Sequence, residues 1–202
     1  MSNWPGNAAV FPLAETVIKQ FEGLRLAPYR DSAGIPTIGY GTILYPTGAA
    51  VTMNDPPITT DYAEQCLFFQ MAQKSGTLAN CLTCMPSLHQ AAAMLSLAYN
   101  IGVGAFATST VLRAFNAGDV QAAANGFLLW DKTHVDGQLV VVEGLLKRRT
   151  AEQTLFLTPD AVAAPAPAPA ATAPASAPAP AATAAAPAPL PTPTPAPSQA
   201  AA

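Results

Sequence analysis

The chain of 202 residues carries nine Lys and Arg against twelve Asp and Glu, a formal charge of -3, and 50% hydrophobic residues to which alanine contributes heavily. That balance leaves no broad basic field, which disfavours binding to nucleic acid or to an anionic membrane through bulk electrostatics. The length suits one ordinary domain with a tail, and no uninterrupted apolar run approaches the roughly 20 residues that span a bilayer as a helix.

The N-terminus, MSNWPGNAAVFPLAETVIKQ, has no basic segment, and Pro5, Pro12 and Glu15 interrupt its apolar residues, so it does not read as a signal peptide. Three cysteines, Cys66, Cys81 and Cys84, are an odd count that fits a reduced compartment better than a disulfide scaffold. The expectation is a soluble protein made in a cytoplasm. Phe11 to Gln20 is predicted to be a helix, with Leu13, Val17, Ile18 and Phe21 on one face and Pro12 near its first turn. Glu22 then falls at or just past the helix end, because Gly23 is a natural stop and Pro28 interrupts the segment LRLAPY beyond it. Asp31-Ser32-Ala33-Gly34 has turn chemistry, and Thr37 to Tyr40 returns as a second strand, giving a hairpin in which Asp31 and Thr37 approach each other. Pro46-Thr47-Gly48 marks another turn.

Beyond Pro57 the pattern is read as all helical. Thr59, Thr60 and Asp61 offer N-caps for a helix through about Lys74, and Ser87 with Gln90 forms a capping box ahead of LHQAAAMLSLAYNIG. Ser109 caps a short helix to Phe115, Asp119 caps Val120 to Leu129, and a last helix runs from Leu145 to Phe156. From residue 159 the chain is Ala/Pro-rich, with no charge after Asp160 and no aromatic. Residues 159–202 are therefore expected to be a disordered, partly polyproline II tail on a folded unit of residues 1–158.

The chemistry concentrates in FEGLRLAPYRDSAGIPTIGYGT, residues 21–42. An acid pair nine positions apart is common on surfaces, but two carboxylates in contrasting surroundings are also the minimum equipment for hydrolysing a glycosidic bond. The pattern E-G-L-R-L-x-x-Y-x-D-x-x-G-x-x-T-I-G-Y-G resembles the catalytic motif of the phage T4-type lysozymes, or endolysins, glycoside hydrolases that cut peptidoglycan. Further on, SLAYNIGVGAFATSTVLRAFNAG resembles the segment in which that family places an Asn-Val/Ile-Gly turn before a Ser-Thr-capped helix. Trp130 and GLLKRRTAE resemble its C-terminal signature.

The resemblance implies an α+β, lysozyme-like fold, with a small N-terminal lobe carrying an antiparallel hairpin, a larger helical C-terminal lobe, and the active site in a cleft between them. It also implies an N-acetylmuramidase in which Glu22 protonates the leaving oxygen while Asp31, with the Thr37 hydroxyl, activates a water for inversion. Inversion needs carboxylates about 6.5–9.5 Å apart. Phe21 and Leu24 are expected to desolvate Glu22 and favour its proton, and Arg148 or Arg149 to reach back to it. Tyr29, with Arg25 and Arg30, either holds the hairpin or lines the cleft. Tyr99, Asn100, Ser109, Thr110 and Trp130 are candidates for glycan or peptide contact, with helix capping the other reading of Asn100. Where many relatives carry His after the Gly-Tyr-Gly element this chain has Thr42, so a His-Asp pair there is absent.

The same resemblance implies no cofactor, bacterial peptidoglycan as the partner, and synthesis in a host bacterial cytoplasm with holin-dependent release to the wall; nothing in the sequence resembles a dimer seam, so a monomer is expected. Cys81-x-x-Cys84, with Cys66 and His89, also admits a zinc site, against two loop thiols and a packing cysteine. The alternatives in function are a non-catalytic wall-binding or virion protein on a lysozyme scaffold, which has no need of Glu22, Asp31 and Thr37 together, and a lytic transglycosylase, which needs the acid without the water-positioning pair.

Overall fold

The computed structural model describes residues 3–135 and 138–160, so the expected tail lies, but for its first two residues, outside the described residues. Helix α1 spans Asn7–Glu22, starting four residues earlier than the apolar periodicity suggested. Pro12 consequently lies inside the helix, and Thr16 donates its hydroxyl to the Pro12 carbonyl at 2.9 Å. Gly23 comes next with φ 67° and ψ 167°, a combination nearly reserved for glycine, which stops the helix directly after Glu22. Strands β1 (Arg25–Arg30) and β2 (Pro36–Gly39) then pair antiparallel with Tyr29 opposite Thr37. Gly39 lies so close to the next helix that an added Cβ would sit 3.3 Å from Ala63 Cβ.

Helix α2 (Thr60–Cys81) is capped by Thr59 and runs through Gly76, a turn or more beyond its expected end. Helix α3 (Leu88–Ile101) has the expected capping box and stops at Gly102. Every residue from Ala91 to Ala98 is buried, and α1 and α7 pack on this alanine-rich helix at the centre of the core. Each large apolar side chain buried against it, such as Met94, Leu95 or Leu97, contributes about 1.5–3 kcal/mol. Around it lie α4 (Val103–Ala107), α5 (Thr110–Asn116, capped by Ser109), α6 (Val120–Phe127, capped by Asp119) and α7 (Glu143–Leu157).

The second part is not all helical. After a 3-10 turn at Leu128–Trp130, β3 (Lys132–Val135) pairs antiparallel with β4 (Gln138–Val141). The two segments flank Asp136-Gly137, a dipeptide that favours two-residue hairpins, and β-branched residues are frequent in both. The whole is an α+β fold, a small hairpin lobe beside a larger helical one. Among the described residues no helix is long and apolar enough to cross a membrane.

Asp160 ties the end of this unit to α3. Its carboxylate accepts from the amides of Leu88 (2.8 Å) and His89 (3.2 Å), and one of its oxygens lies 2.6 Å from His89 Nδ1. With Gln90 N bonded to Ser87 Oγ, the free amides of the first turn are satisfied. Partial burial disfavours the Asp160 charge, but these donors outweigh it and hold the carboxyl below its ordinary value of 3.8. A lowered carboxyl stabilises the fold above that ordinary value, and the contribution fades as pH falls through the folded-state value. Asp160→Ala is therefore expected to cost about 1 kcal/mol near neutral pH, the scale of a lost N-terminal cap, and progressively less in acid. Urea unfolding at about pH 7 and about pH 3 checks this, and an equal loss at both would contradict it.

Candidate active site

Glu22 ends α1 with its side chain 21% exposed, and its Oε1 accepts a 2.6 Å bond from Arg148 Nη1. This resolves the choice between the two arginines: Arg148 of α7 reaches the acid, while Arg149 turns inward to Asn100 Oδ1 (3.1 Å) and Glu152. Glu22 Oε2 faces Gly41, where an added Cβ would lie 3.8 Å away, and it takes no bond from the described residues. Leu24 is 39% exposed, and the Phe21 ring centroid lies 5.9 Å from the guanidinium carbon of the Arg148 that holds the acid.

Asp31 is fixed by the turn it opens. Its Oδ1 accepts from the amides of Ala33 (2.9 Å) and Ile35 (2.8 Å), while Oδ2 has no partner among the described residues. Thr37, buried at 2% exposure, donates its hydroxyl to the Ile35 carbonyl at 2.9 Å, so its lone pairs remain for accepting. Asp31 and Thr37 are thus both bound to Ile35. Tyr29 lies in the field of both acids: burial first, then the negative charges of Glu22 and Asp31, raise its phenol, against the opposing Arg25. The Arg25 guanidinium stacks 4.4 Å from that ring, and Arg30 donates to the Gly34 carbonyl at 2.7 Å, so both arginines hold the hairpin.

Sequence reasoning missed the support behind Arg148. Glu152, fully buried on α7, accepts at Oε1 from Arg148 Nε (3.2 Å), Arg149 Nη2 (3.1 Å) and Ser96 Oγ (2.7 Å). Arg149 Nε lies 3.0 Å from Glu152 Oε2 but is too poorly aligned for a hydrogen bond, a Coulombic contact only, and Arg149 Nη1 has no partner among the described residues. Burial, against the field of Glu152, pulls the Arg149 guanidinium down to about 10. The signal in sequence was the i, i+4 spacing of Arg148 and Glu152. It resembles an ordinary solvated ion pair.

Other candidates divide between the site and the scaffold. Tyr99 donates to the Tyr40 carbonyl at 2.7 Å and lies in the field of Glu22, whereas Asn100 is engaged by Arg149. Ser109 is buried with its oxygen taken by the Leu112 amide, Thr110 accepts from Arg113, and Trp130 packs on the core. Thr42 is wholly buried, and its hydroxyl accepts from Gln70 of α2 at 2.9 Å. The cysteines are free; Cys66 is buried beside Thr42, and His89 is held by Asp160, so neither joins Cys81 and Cys84. Among the described residues no group of three or more His, Cys, Asp or Glu is placed to hold a metal.

A helix-end acid held by a buried arginine, beside a hairpin whose turn fixes a second carboxylate, on an α+β scaffold of this kind, defines a lysozyme-type glycosidase. The comparisons agree: the model of the phage lysozyme family matches residues 19–152, and the chain belongs to that family. It is 39% identical over 140 residues to an endolysin of Acyrthosiphon pisum secondary endosymbiont phage 1, covering 69% of this chain and 92% of that protein. Among solved structures it is similar to the endolysin from Escherichia coli O157:H7 phage FAHEc1, with a TM-score of 0.67 and 37% identity over 74% of this chain and 92% of the other. The muramidase domain of SpmX from Asticaccaulis excentricus gives a TM-score of 0.65 and 32% identity over 76% and 97%.

Proposed function

We propose that this endolysin-like glycosidase is an N-acetylmuramidase that hydrolyses the β-1,4 bond between N-acetylmuramic acid and N-acetylglucosamine in peptidoglycan by a single inverting displacement. The observation that carries the reading is that each acid has one oxygen anchored and one open: Glu22 Oε1 on Arg148, and Asp31 Oδ1 on two backbone amides. An anchored carboxylate presents its second oxygen in a fixed direction, which is what proton transfer at a reacting centre requires.

In this mechanism Glu22 gives its proton to the leaving glycosidic oxygen through Oε2. Asp31 takes a proton from water through Oδ2, while a lone pair of Thr37 accepts that water's other hydrogen. The sugar passes through an oxocarbenium-like transition state, with water adding to the face opposite the departing group. Arg148 fixes the acid's direction, Glu152 steadies Arg148 from behind while Asn100 and Glu152 hold Arg149, and Tyr29 lies in the field of both carboxylates. Residues 1–158 are the catalytic unit and 159–202 a dispensable tail. The enzyme works as a monomer, is made in the host bacterial cytoplasm, and reaches the wall after holin-dependent release, causing lysis.

Proton NMR of the products released from purified glycan strands tests this reading. The first-formed reducing muramic end is expected in the α configuration, opposite to the bond cleaved. A first-formed β end would remove the water-activating role of Asp31 and Thr37. Anhydro-muramic ends would make the enzyme a lytic transglycosylase, and absence of cleavage would leave a wall-binding protein.

A further inference from the structure

One lysine within the field of Glu22 has no part in the proposed chemistry. Three of the four lysines have a carboxylate oxygen within 4 Å: Lys19 has Glu15 and Glu64, Lys132 has Asp131, and Lys147 has Glu143. Lys74, on α2, has no ion-pair or hydrogen-bond partner among the described residues, although it is half-buried. Its ammonium stands 5.4 Å from the centroid of the Tyr99 ring, and that ring is itself fixed through the bond from its hydroxyl to Tyr40. The ammonium is therefore steadied over an aromatic face in place of swinging free in water. The Tyr40 carbonyl that holds this ring is next in sequence to Gly41, which Glu22 Oε2 faces, and the ammonium lies within the field of Glu22.

The same lysine lines a groove of about 380 Å³. Residues 43–48 form one wall, and Phe69, Gln70, Gln73 and Lys74, a helical i, i+1, i+4, i+5 set, form the other. Lys74 is the one charged residue among these lining side chains, and the two glutamines add amide groups able to donate and accept. Burial costs the ammonium hydration that no protein carboxylate replaces, and it lowers the lysine against the opposing pull of Glu22. The group that best restores that loss is an anion brought by the ligand. Neutral sugar hydroxyls hydrogen-bond without compensating charge. In peptidoglycan the carboxylates that are free to ionise belong to the peptide stems.

We propose that Lys74 is a specificity-determining residue that pairs with a carboxylate of the peptide stem as the glycan lies across Glu22. The inference rests on the peptidoglycan hydrolase reading and adds to it a part of the substrate that does not react. Binding energy from such a remote group improves recognition of peptide-bearing strands.

The test compares glycan strands that carry their peptides with the same strands after an amidase has removed them and the lactyl carboxylates so exposed have been capped as neutral amides, monitoring release of reducing ends. Wild type is expected to show a KM about tenfold lower on the peptide-bearing strands, the effect of one charge-assisted contact. That preference disappears in Lys74→Gln and persists in Lys74→Arg, with kcat on peptide-bearing strands changed less than about twofold in both. Thermal melting of the variants verifies their folding. A preference of the same size in wild type and Lys74→Gln overturns the assignment. So does a fall in kcat on both substrates with a moved pH profile, which would make Lys74 an electrostatic partner of Glu22. Wild type cleaving neither substrate overturns the hydrolase reading itself, and is distinct from either result.

Discussion

Glu22→Gln is expected to lower the rate of lysis of chloroform-treated bacteria by about 10²–10⁴-fold while leaving the fold intact, the range ascribed to a positioned general acid. Glutamine keeps an oxygen to accept from Arg148 Nη1, and Arg148 retains Glu152 through Nε, so the buried guanidinium is not orphaned. The side chain replaced is partly exposed and contributes little to the core. What disappears is the transferable proton on the oxygen facing Gly41. Circular dichroism verifies the fold, and turbidity loss measures lysis. Wild-type lysis by a correctly folded Glu22→Gln would remove the acid from the mechanism.

The second large effect is on stability. Glu152→Gln is expected to destabilise the protein by about 3–5 kcal/mol, the cost of breaking a buried ion pair by removing one partner. Glu152 is the buried carboxylate between Arg148 and Arg149, whose own exposures are 3% and 0%. A neutral amide leaves two guanidinium groups facing each other, with Glu22 at the cleft as their remaining counter-charge. It also turns a node that accepts three hydrogen bonds into one that must find acceptors for its own N–H groups. Urea unfolding gives the measurement, and a loss below about 1 kcal/mol would mean that the cluster relaxes around the neutral residue. Activity should also fall, because Arg148 loses the group that aims it at Glu22.

These two residues illustrate how differently sequence exposes function. Glu22 was legible because its placement is local: the glycine after it stops the helix, and a turn nine residues later fixes the second acid. The capping box at Ser87 and Gln90 was equally local. Glu152 was not legible, because its importance depends on Ser96 and Glu22, which meet α7 only in the folded chain. Arg148, Arg149 and Glu152 form the buried face of α7 together with Phe156, where periodicity reads charge as solvent-facing. Lys74 was hidden in the same way, as a polar residue on a helix whose expected end fell there. The β3–β4 hairpin differs again: its Asp-Gly signal stands between two short segments that carry β-branched residues, where helical elements lie on both sides.

The bond between Gln70 and Thr42 has a consequence for the conditions in which the fold holds together. It joins α2 to the strand region next to the acid through two groups that never ionise. Unlike the Asp160 clasp, this strut keeps its strength from acid to alkali and is indifferent to ionic strength. The hairpin that carries Asp31 is therefore moored by a fastening that a change of acidity or salt does not loosen.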